Sequence, residues 1–367
     1  MAERVVVAGA SGVIGAAAVE TFAAKGFEVV ALSRRKPILP ASVRYSHVPL
    51  DLTDAAACED FAQRLGGASH LVYAAVAEAP GLVSGWSDPG LIALNRRMFA
   101  DLAAPLAARG GLAWAGLLQG TKAYGAHLHP IALPAREDRP RDPHANFYFE
   151  QEDCLRDLAA AHGFAWTILR PQVVFGGAPG AAMNPVAAIG AYAAICRELS
   201  LPFAYPSAAR VMFEATDAAL LGEALLWAAG TPAAHGEIFN VTNGDTFVLR
   251  DVWPEIAGHF GLEPSFEPCE KLASLFAQER SQSAWREMAE RERLALAGLD
   301  QVLGQSHHYV DMLLDERMVQ AGSLPCLVSS IKIRKAGFGA CRDSLESLLF
   351  WLRRMADTAL LPPSLRD

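Results

Sequence analysis

The 367-residue sequence predicts an α/β fold: a doubly wound parallel sheet followed by a smaller, mainly helical C-terminal domain. Three observations lead there. Up to about residue 175, short β-branched runs alternate with helix-length segments, the pattern a parallel sheet needs for its crossovers. A glycine-rich turn directly follows the first run and opens the first helical segment. Beyond residue 250 the pattern becomes mostly helical.

The elements follow in order. Strands are expected at Arg4–Ala8, Glu28–Leu32, Tyr45–Pro49, His70–Ala74, Leu112–Leu118 and Ala165–Arg170. Helices are expected at Ile14–Lys25, Asp54–Leu65, Gly90–Arg109 and Phe147–His162. The segment Ala132–His144, rich in proline and charge, reads as an exposed loop. After Pro171 a Gly/Pro-rich stretch leads to helices at Val186–Arg197 and Thr216–Ala229, a strand at Glu237–Val241 and a last helix at Asp343–Ala356. Its Leu345, Leu348, Leu349 and Leu352 fall on one face. The expected division is a dinucleotide-binding domain over 1–175 with a return segment at about 210–245. A substrate-binding lid takes 176–209 and 246–367.

Composition narrows the function. Apolar residues make up 52% and charged residues 20%, enough for a large core. The net charge of -8 argues against nucleic-acid or anionic-membrane partners, which need a positive field. The N-terminus carries no signal-peptide pattern, and the uncharged stretch Pro171–Cys196 is broken by prolines and glycines, so a soluble cytoplasmic protein is expected. Cys58, Cys154, Cys196, Cys269, Cys326 and Cys341 form no CxxC and read as reduced thiols. The close histidine sets are His127/His129, with no carboxylate nearby in sequence, and His307/His308, with Asp311 a turn away. Neither offers a third ligand, so no metal is expected.

Gly9-Ala10-Ser11-Gly12-Val13-Ile14-Gly15 has the GxxGxxG spacing of a Rossmann-type phosphate loop. Its glycines allow a tight turn, close backbone approach to a pyrophosphate and close helix–sheet packing. The helix N-terminus presents free N–H groups to the anion. At the end of the second strand stand Ser33, Arg34, Arg35 and Lys36 in place of the acidic residue that bonds a ribose 2′-hydroxyl. Cations there suit a 2′-phosphate, so NADPH/NADP+ is the expected cofactor. Asp51 and Leu52 follow the third strand. Asp51 would suit the adenine amino group, and a helix cap by Thr53 or Asp54 is the equal alternative.

None of the seven tyrosines has a lysine four residues on, so the usual short-chain YxxxK pair is absent. Other segments carry a resemblance. They are Ala31–Arg35, Leu118–Gly125, Asn146–Asp153, Arg170–Pro171, Tyr192–Cys196 and Phe239–Asp245, in that order along the chain. Together they resemble the progesterone 5β-reductase/iridoid synthase-like (PRISE) family of atypical extended short-chain dehydrogenases/reductases. The resemblance implies that Lys122, from the loop after the fifth strand, and Tyr148, at the start of the next helix, form the catalytic pair. It also implies that Gln119, Pro171 and Val173 lie beside the cofactor. Tyr124 is the reserve proton donor. A lysine cation near Tyr148 is expected to favour its ionised form.

The chain departs from the family pattern in four places. The loop before Lys122 is one residue shorter, Val76 replaces a tryptophan, Val173 an asparagine, and Phe149 a second tyrosine. The implied activity is NADPH-dependent reduction of the C=C bond of an α,β-unsaturated carbonyl, with a small-molecule enone as partner and a homodimer left open. The alternatives are 1,2-reduction of a ketone or aldehyde by the same pair, or an NADP-sensing module without turnover. Met183, Tyr192, Phe203, Tyr205, Phe213 and Phe338 are candidates for a substrate pocket or for plain core. Lys332, Arg334 and Lys335 read as a solvated face.

Overall fold

The computed structural model describes residues 3–80, 82, 85–320 and 326–363. Seven parallel strands form its spine: β1 (Arg4–Ala8), β2 (Glu28–Ser33), β3 (Ser46–Pro49), β4 (His70–Tyr73), β5 (Trp114–Leu118), β6 (Ala165–Pro171) and β7 (Glu237–Val241). Their order is β7-β6-β5-β4-β1-β2-β3. The chain winds outward from β1 to β3, then crosses to β4, which pairs with the other side of β1. The connections therefore part at the carboxyl ends of β1 and β4 and leave a crevice there.

The strand residues explain the layering. Along β1, Val6 and Ala8 face one hydrophobic cluster while Val5 and Val7 face another, so the run is apolar throughout. On the first side pack α2 (Ala55–Leu65), α3 (Pro89–Ala108) and α4 (Phe147–His162), through Phe61, Phe99, Leu102 and Leu155. On the second pack α1 (Val13–Ala24) and, beyond α5 (Pro185–Glu198), α6 (Ala218–Gly230), through Phe22, Leu221 and Leu225. Helix ends follow side-chain chemistry. Asp54 caps α2 by accepting from the Ala57 N–H at 2.9 Å, and Gly66 closes it with φ +74°. The helix expected at Thr216 begins two residues later. Thr216–Asp217 pairs with Val174–Phe175, and Asp217 then caps α6 through the Ala219 and Leu220 N–H groups.

A third cluster holds most of the C-terminal helices: α7 (Trp253–His259), α8 (Leu272–Phe276), α9 (Glu279–Glu292), α10 (Leu299–Leu303), α11 (Ser306–Leu313) and, after α12 (Glu316–Gln320) and α13 (Ile331–Lys335), α14 (Ser344–Asp357). The segment around α13 instead returns to the sheet: Ile333 and Phe338 bury with Phe239 of β7. Lys332, expected on a solvated face, donates to the Ile238 carbonyl and pairs with Glu237 at 2.7 Å. The loop expected to be exposed is pinned at Ala135, which is buried and bridges Val328. Among the described residues no helix is long and apolar enough to cross a membrane.

Candidate active site

A cavity of about 620 Å³ opens over the carboxyl ends of β1, β4, β5 and β6. At one end lies the glycine loop. Gly9 has φ +79°, and a Cβ there would stand 2.7 Å from the Ala74 carbonyl and the Ala75 nitrogen, so only glycine lets the turn meet β4. Ser11, Gly12, Val13 and Ile14 line the cavity. Gly12 caps α1 without a side-chain bond, and no acidic residue stands in that first turn, so the N–H groups are left for an anion. Gly15 does not itself line the cavity. A Cβ there would lie 2.2 Å from the Gly9 carbonyl, so its place is to let α1 close against the loop.

Ser33, Arg34, Arg35, Asp51 and Leu52 line the same end, whereas Lys36 borders a separate surface depression. The Arg35 guanidinium reaches Gly180 across the cleft, where a Cβ would meet it at 2.9 Å. Asp51 accepts from the Thr53 N–H at 3.0 Å and the Thr53 hydroxyl at 2.8 Å, bonds that hold its carboxyl below the ordinary range. The capping alternative falls to Asp54, not Thr53. These residues fit a dinucleotide: a cradle that a Cβ would fill, uncapped N–H groups, and two arginines beside the loop.

At the other end Tyr148 and Lys122 share the cavity wall, with Gln119, Pro171 and Val173 beside them. Asn146 ties the pair together. Its Oδ1 accepts from the Tyr148 N–H at 3.0 Å, capping α4, while its Nδ2 donates to the Lys122 carbonyl at 3.1 Å. Gln119 braces Tyr148, donating to its carbonyl at 3.0 Å while accepting from Arg170 Nε at 2.8 Å. Gly120 leaves room for the phenol: a Cβ there would be 3.2 Å from the Tyr148 hydroxyl. Tyr124 is otherwise engaged. Its hydroxyl donates to Asn240 Oδ1 at 2.6 Å, under Arg170, and it does not line the cavity, so the reserve donor is set aside.

The electrostatics differ from expectation. Lys122 Nζ lies 5.6 Å from the Tyr148 ring centre but bonds Glu78 Oε1 at 3.4 Å and sits 4.2 Å over the Trp86 ring. The Tyr148 phenol is not lowered. Burial pushes it up, the Glu78 carboxylate and Tyr309 add to that, and Arg170 opposes. Tyr148 is thus held as a neutral donor. Burial also pulls the Lys122 ammonium down, against the pull of Glu78. His127, on the same wall, is brought to about 4 by burial, His144 and Lys122, and is neutral.

The sequence reading missed Glu78, Trp86, Asn146 as a tie, and Tyr309 of α11. The pocket candidates divide: Met183 and Phe213 line the cavity. Phe203 stacks on Trp253 at 4.4 Å with Tyr192 and Tyr205 around them, and Phe338 packs on Trp227, so these four are core. His129 does have a carboxylate, Asp142, at 2.9 Å. Asp311 caps α8 at Leu272 and Ala273. No group of three metal-binding side chains comes together among the described residues.

The signature of the NAD dependent epimerase/dehydratase family matches residues 5–242. The chain belongs to that family. The (S)-8-oxocitronellyl enol synthase of Antirrhinum majus is 26% identical to this family member over 375 residues, covering 97% of this chain and 92% of that one. The 3-oxo-Delta(4,5)-steroid 5-beta-reductase of Arabidopsis thaliana is 31% identical over 235 residues, 62% of this chain and 58% of its own length. That match thus spans less than two thirds of that relative. Both place this epimerase/dehydratase-family chain on the PRISE-like branch, among oxidoreductases. The Bordetella bronchiseptica enzyme WbmG, in complex with NAD and UDP, is similar at a TM-score of 0.63 and 15% identity over 97% of this chain and 96% of that one, which shows the fold. The cofactor is of the nicotinamide dinucleotide class.

Proposed function

We propose that this chain is an NADPH-dependent reductase of the C=C bond of α,β-unsaturated carbonyl compounds. Gly9, Ser11, Gly12, Val13 and Ile14 hold the pyrophosphate, and Arg34 and Arg35 hold the 2′-phosphate. When bound, the reduced nicotinamide supplies the hydride. The observation that carries the reading is Tyr148 and Lys122, brought from separate elements to one wall of the cavity above the glycine loop.

Tyr148, kept neutral by burial, donates its O–H to the substrate carbonyl oxygen, where negative charge develops as the β-carbon is reduced. Lys122 adds a fixed positive charge beside that oxygen. The cavity wall, with Met183, Met212, Phe213 and Leu313, suits an apolar carbon skeleton and keeps water from it. Solvent or Tyr148 delivers the proton to the α-carbon.

With NADPH deuterated at the transferred C4 position and 2-cyclohexen-1-one, the label is expected on the β-carbon and the product is cyclohexanone. A label on the carbonyl carbon, giving the allylic alcohol, makes the chain a carbonyl reductase instead.

A further inference from the structure

We propose that Glu78 and Trp86 are positioning residues for Lys122, forming a carboxylate-and-indole seat that holds its ammonium at the cavity wall. The proposal rests on reading Lys122 as the cation of the site. A lysine one helical turn from the tyrosine is aimed by its helix. Lys122 has no such rail, since it stands in the short turn Thr121–Tyr124 after β5. What it has is a partner from the neighbouring strand: Glu78 follows β4, which pairs with β5 along His70–Tyr73.

Three contacts close the seat. Lys122 Nζ donates to Glu78 Oε1 at 3.4 Å. Glu78 Oε2 accepts from the Trp86 indole N–H at 3.0 Å, which fixes the carboxylate's rotation. The ammonium lies 4.2 Å over the Trp86 ring, within cation–π range. The Lys122 and Glu78 side chains are only 10% and 7% exposed, so the pair is little screened by water. A buried ammonium without its counter-charge sheds its proton more readily. Glu78 therefore keeps Lys122 charged as well as aimed. The other titratable and charged groups facing this point are His127, Tyr148 and, behind them, His144, Asp142, Tyr309 and Arg170. His127 is neutral and the two tyrosines are protonated, so Glu78 is the anion that bears directly on Lys122.

The chain has six lysines, so [13Cε]lysine labelling gives few signals, and loss of one in Lys122→Arg assigns it. In Glu78→Gln, which keeps an acceptor for Trp86, the Lys122 titration midpoint of the full chain should fall by about one pH unit or more. Trp86→Phe, which keeps a ring under the ammonium but frees the carboxylate, should lower it by less. The basic limb of kcat/KM with NADPH and 2-cyclohexen-1-one should move the same way in Glu78→Gln, and Glu78→Asp should restore part of it. If Glu78→Gln does not fold, Trp86→Phe decides alone. A Lys122 midpoint unchanged in the folded variant overturns the proposal. Full turnover in Lys122→Met overturns the reading of the pair but leaves the NMR result standing.

Discussion

Asn146→Ala is the perturbation whose cost can be worked from the contacts. The side chain is 5% exposed and serves two backbone groups, the Tyr148 N–H and the Lys122 carbonyl. Losing an N-cap costs about 0.5–2 kcal/mol. The Lys122 carbonyl keeps its other donor, the Gly125 N–H at 3.1 Å, so the lost second bond adds about 0.5–1.5 kcal/mol. The sum is roughly 1–3.5 kcal/mol. At ~2.1 cal/mol/K per residue, unfolding a chain of this length carries an entropy of roughly 0.8 kcal/mol/K, so Tm should fall by about 1.5–4.5 °C. Activity should fall further than stability suggests. The same amide holds both the loop of Lys122 and the start of α4, and displacement by ~1 Å can cost up to about 100-fold. Scanning calorimetry together with NADPH consumption on 2-cyclohexen-1-one measures both. Asn146→Ser separates the two bonds, because serine caps well but is too short to reach the Lys122 carbonyl. It should regain about half of the stability and little of kcat. A Tm within 1 °C of wild type for Asn146→Ala, or full kcat in Asn146→Ser, would refute the idea that this tie positions the pair.

Tyr148→Phe and Lys122→Ala should each lower kcat by roughly 10²- to 10⁴-fold, and the double variant should be little worse than the poorer single one, because the two act as a unit. Near-wild-type turnover in Tyr148→Phe would hand the oxygen to water. Arg34→Ala with Arg35→Ala should erase most of a 10- to 150-fold preference for NADPH over NADH, at about 1.5–3 kcal/mol for each charge-assisted bond. An unchanged preference would remove both residues from the 2′-phosphate. Glu214, buried where it accepts from the Val328 N–H at 2.7 Å, is raised by burial to about 7. Its folded value lies above the unfolded ~4.3, so the folded state binds the extra proton and stability falls as pH rises from ~4.3 through ~7. Glu214→Gln should be nearly neutral at pH 5 and stabilising by roughly 2–3 kcal/mol at pH 8; equal effects at both values would contradict this.

The sheet was legible because its signal is local. β1 is a run of valines buried on both faces, and the six strands expected up to residue 175 are found within two residues of their bounds. The start of α4 was legible for the same reason, since Asn146 caps it in place. What could not be read is pairing between distant segments. Glu78 and Lys122 stand 44 residues apart with no periodicity to link them, and Glu78 is a single acid in an alanine-rich stretch. Tyr309 comes to the cavity on α11, whose own sequence gives it no role beyond packing with Val310 and Leu313. The aromatic candidates divided for a related reason. Whether Phe203 meets a substrate or Trp253 depends on where α7 lands, and a composition of aromatic residues says nothing of that.

The absent YxxxK pair has a physical cause in the packing around α4. Four residues after Tyr148, where that lysine would stand, the chain has Glu152. Its carboxylate is 3% exposed and takes bonds from Arg141 at 2.9 Å, Arg156 at 2.9 Å and Gln119 at 3.3 Å, with Arg170 at 3.6 Å. Burial alone would raise that carboxyl, but the arginine bonds carry it below its ordinary range. A lysine in its place would face three guanidinium groups, with Asp153, bonded to Arg141 at 2.6 Å, already engaged, and breaking a buried pair of this kind costs about 3–5 kcal/mol before screening at the half-exposed Arg141 and Arg156 is allowed for. The helix position is thus committed to holding β6 and the Arg141 loop against α4. In the proposed mechanism the cation beside Tyr148 comes from elsewhere, from Lys122 at the neighbouring strand end. Moving the lysine to a loop removes the helix as its guide, and this is the need that a carboxylate and an indole from the segment after β4 meet.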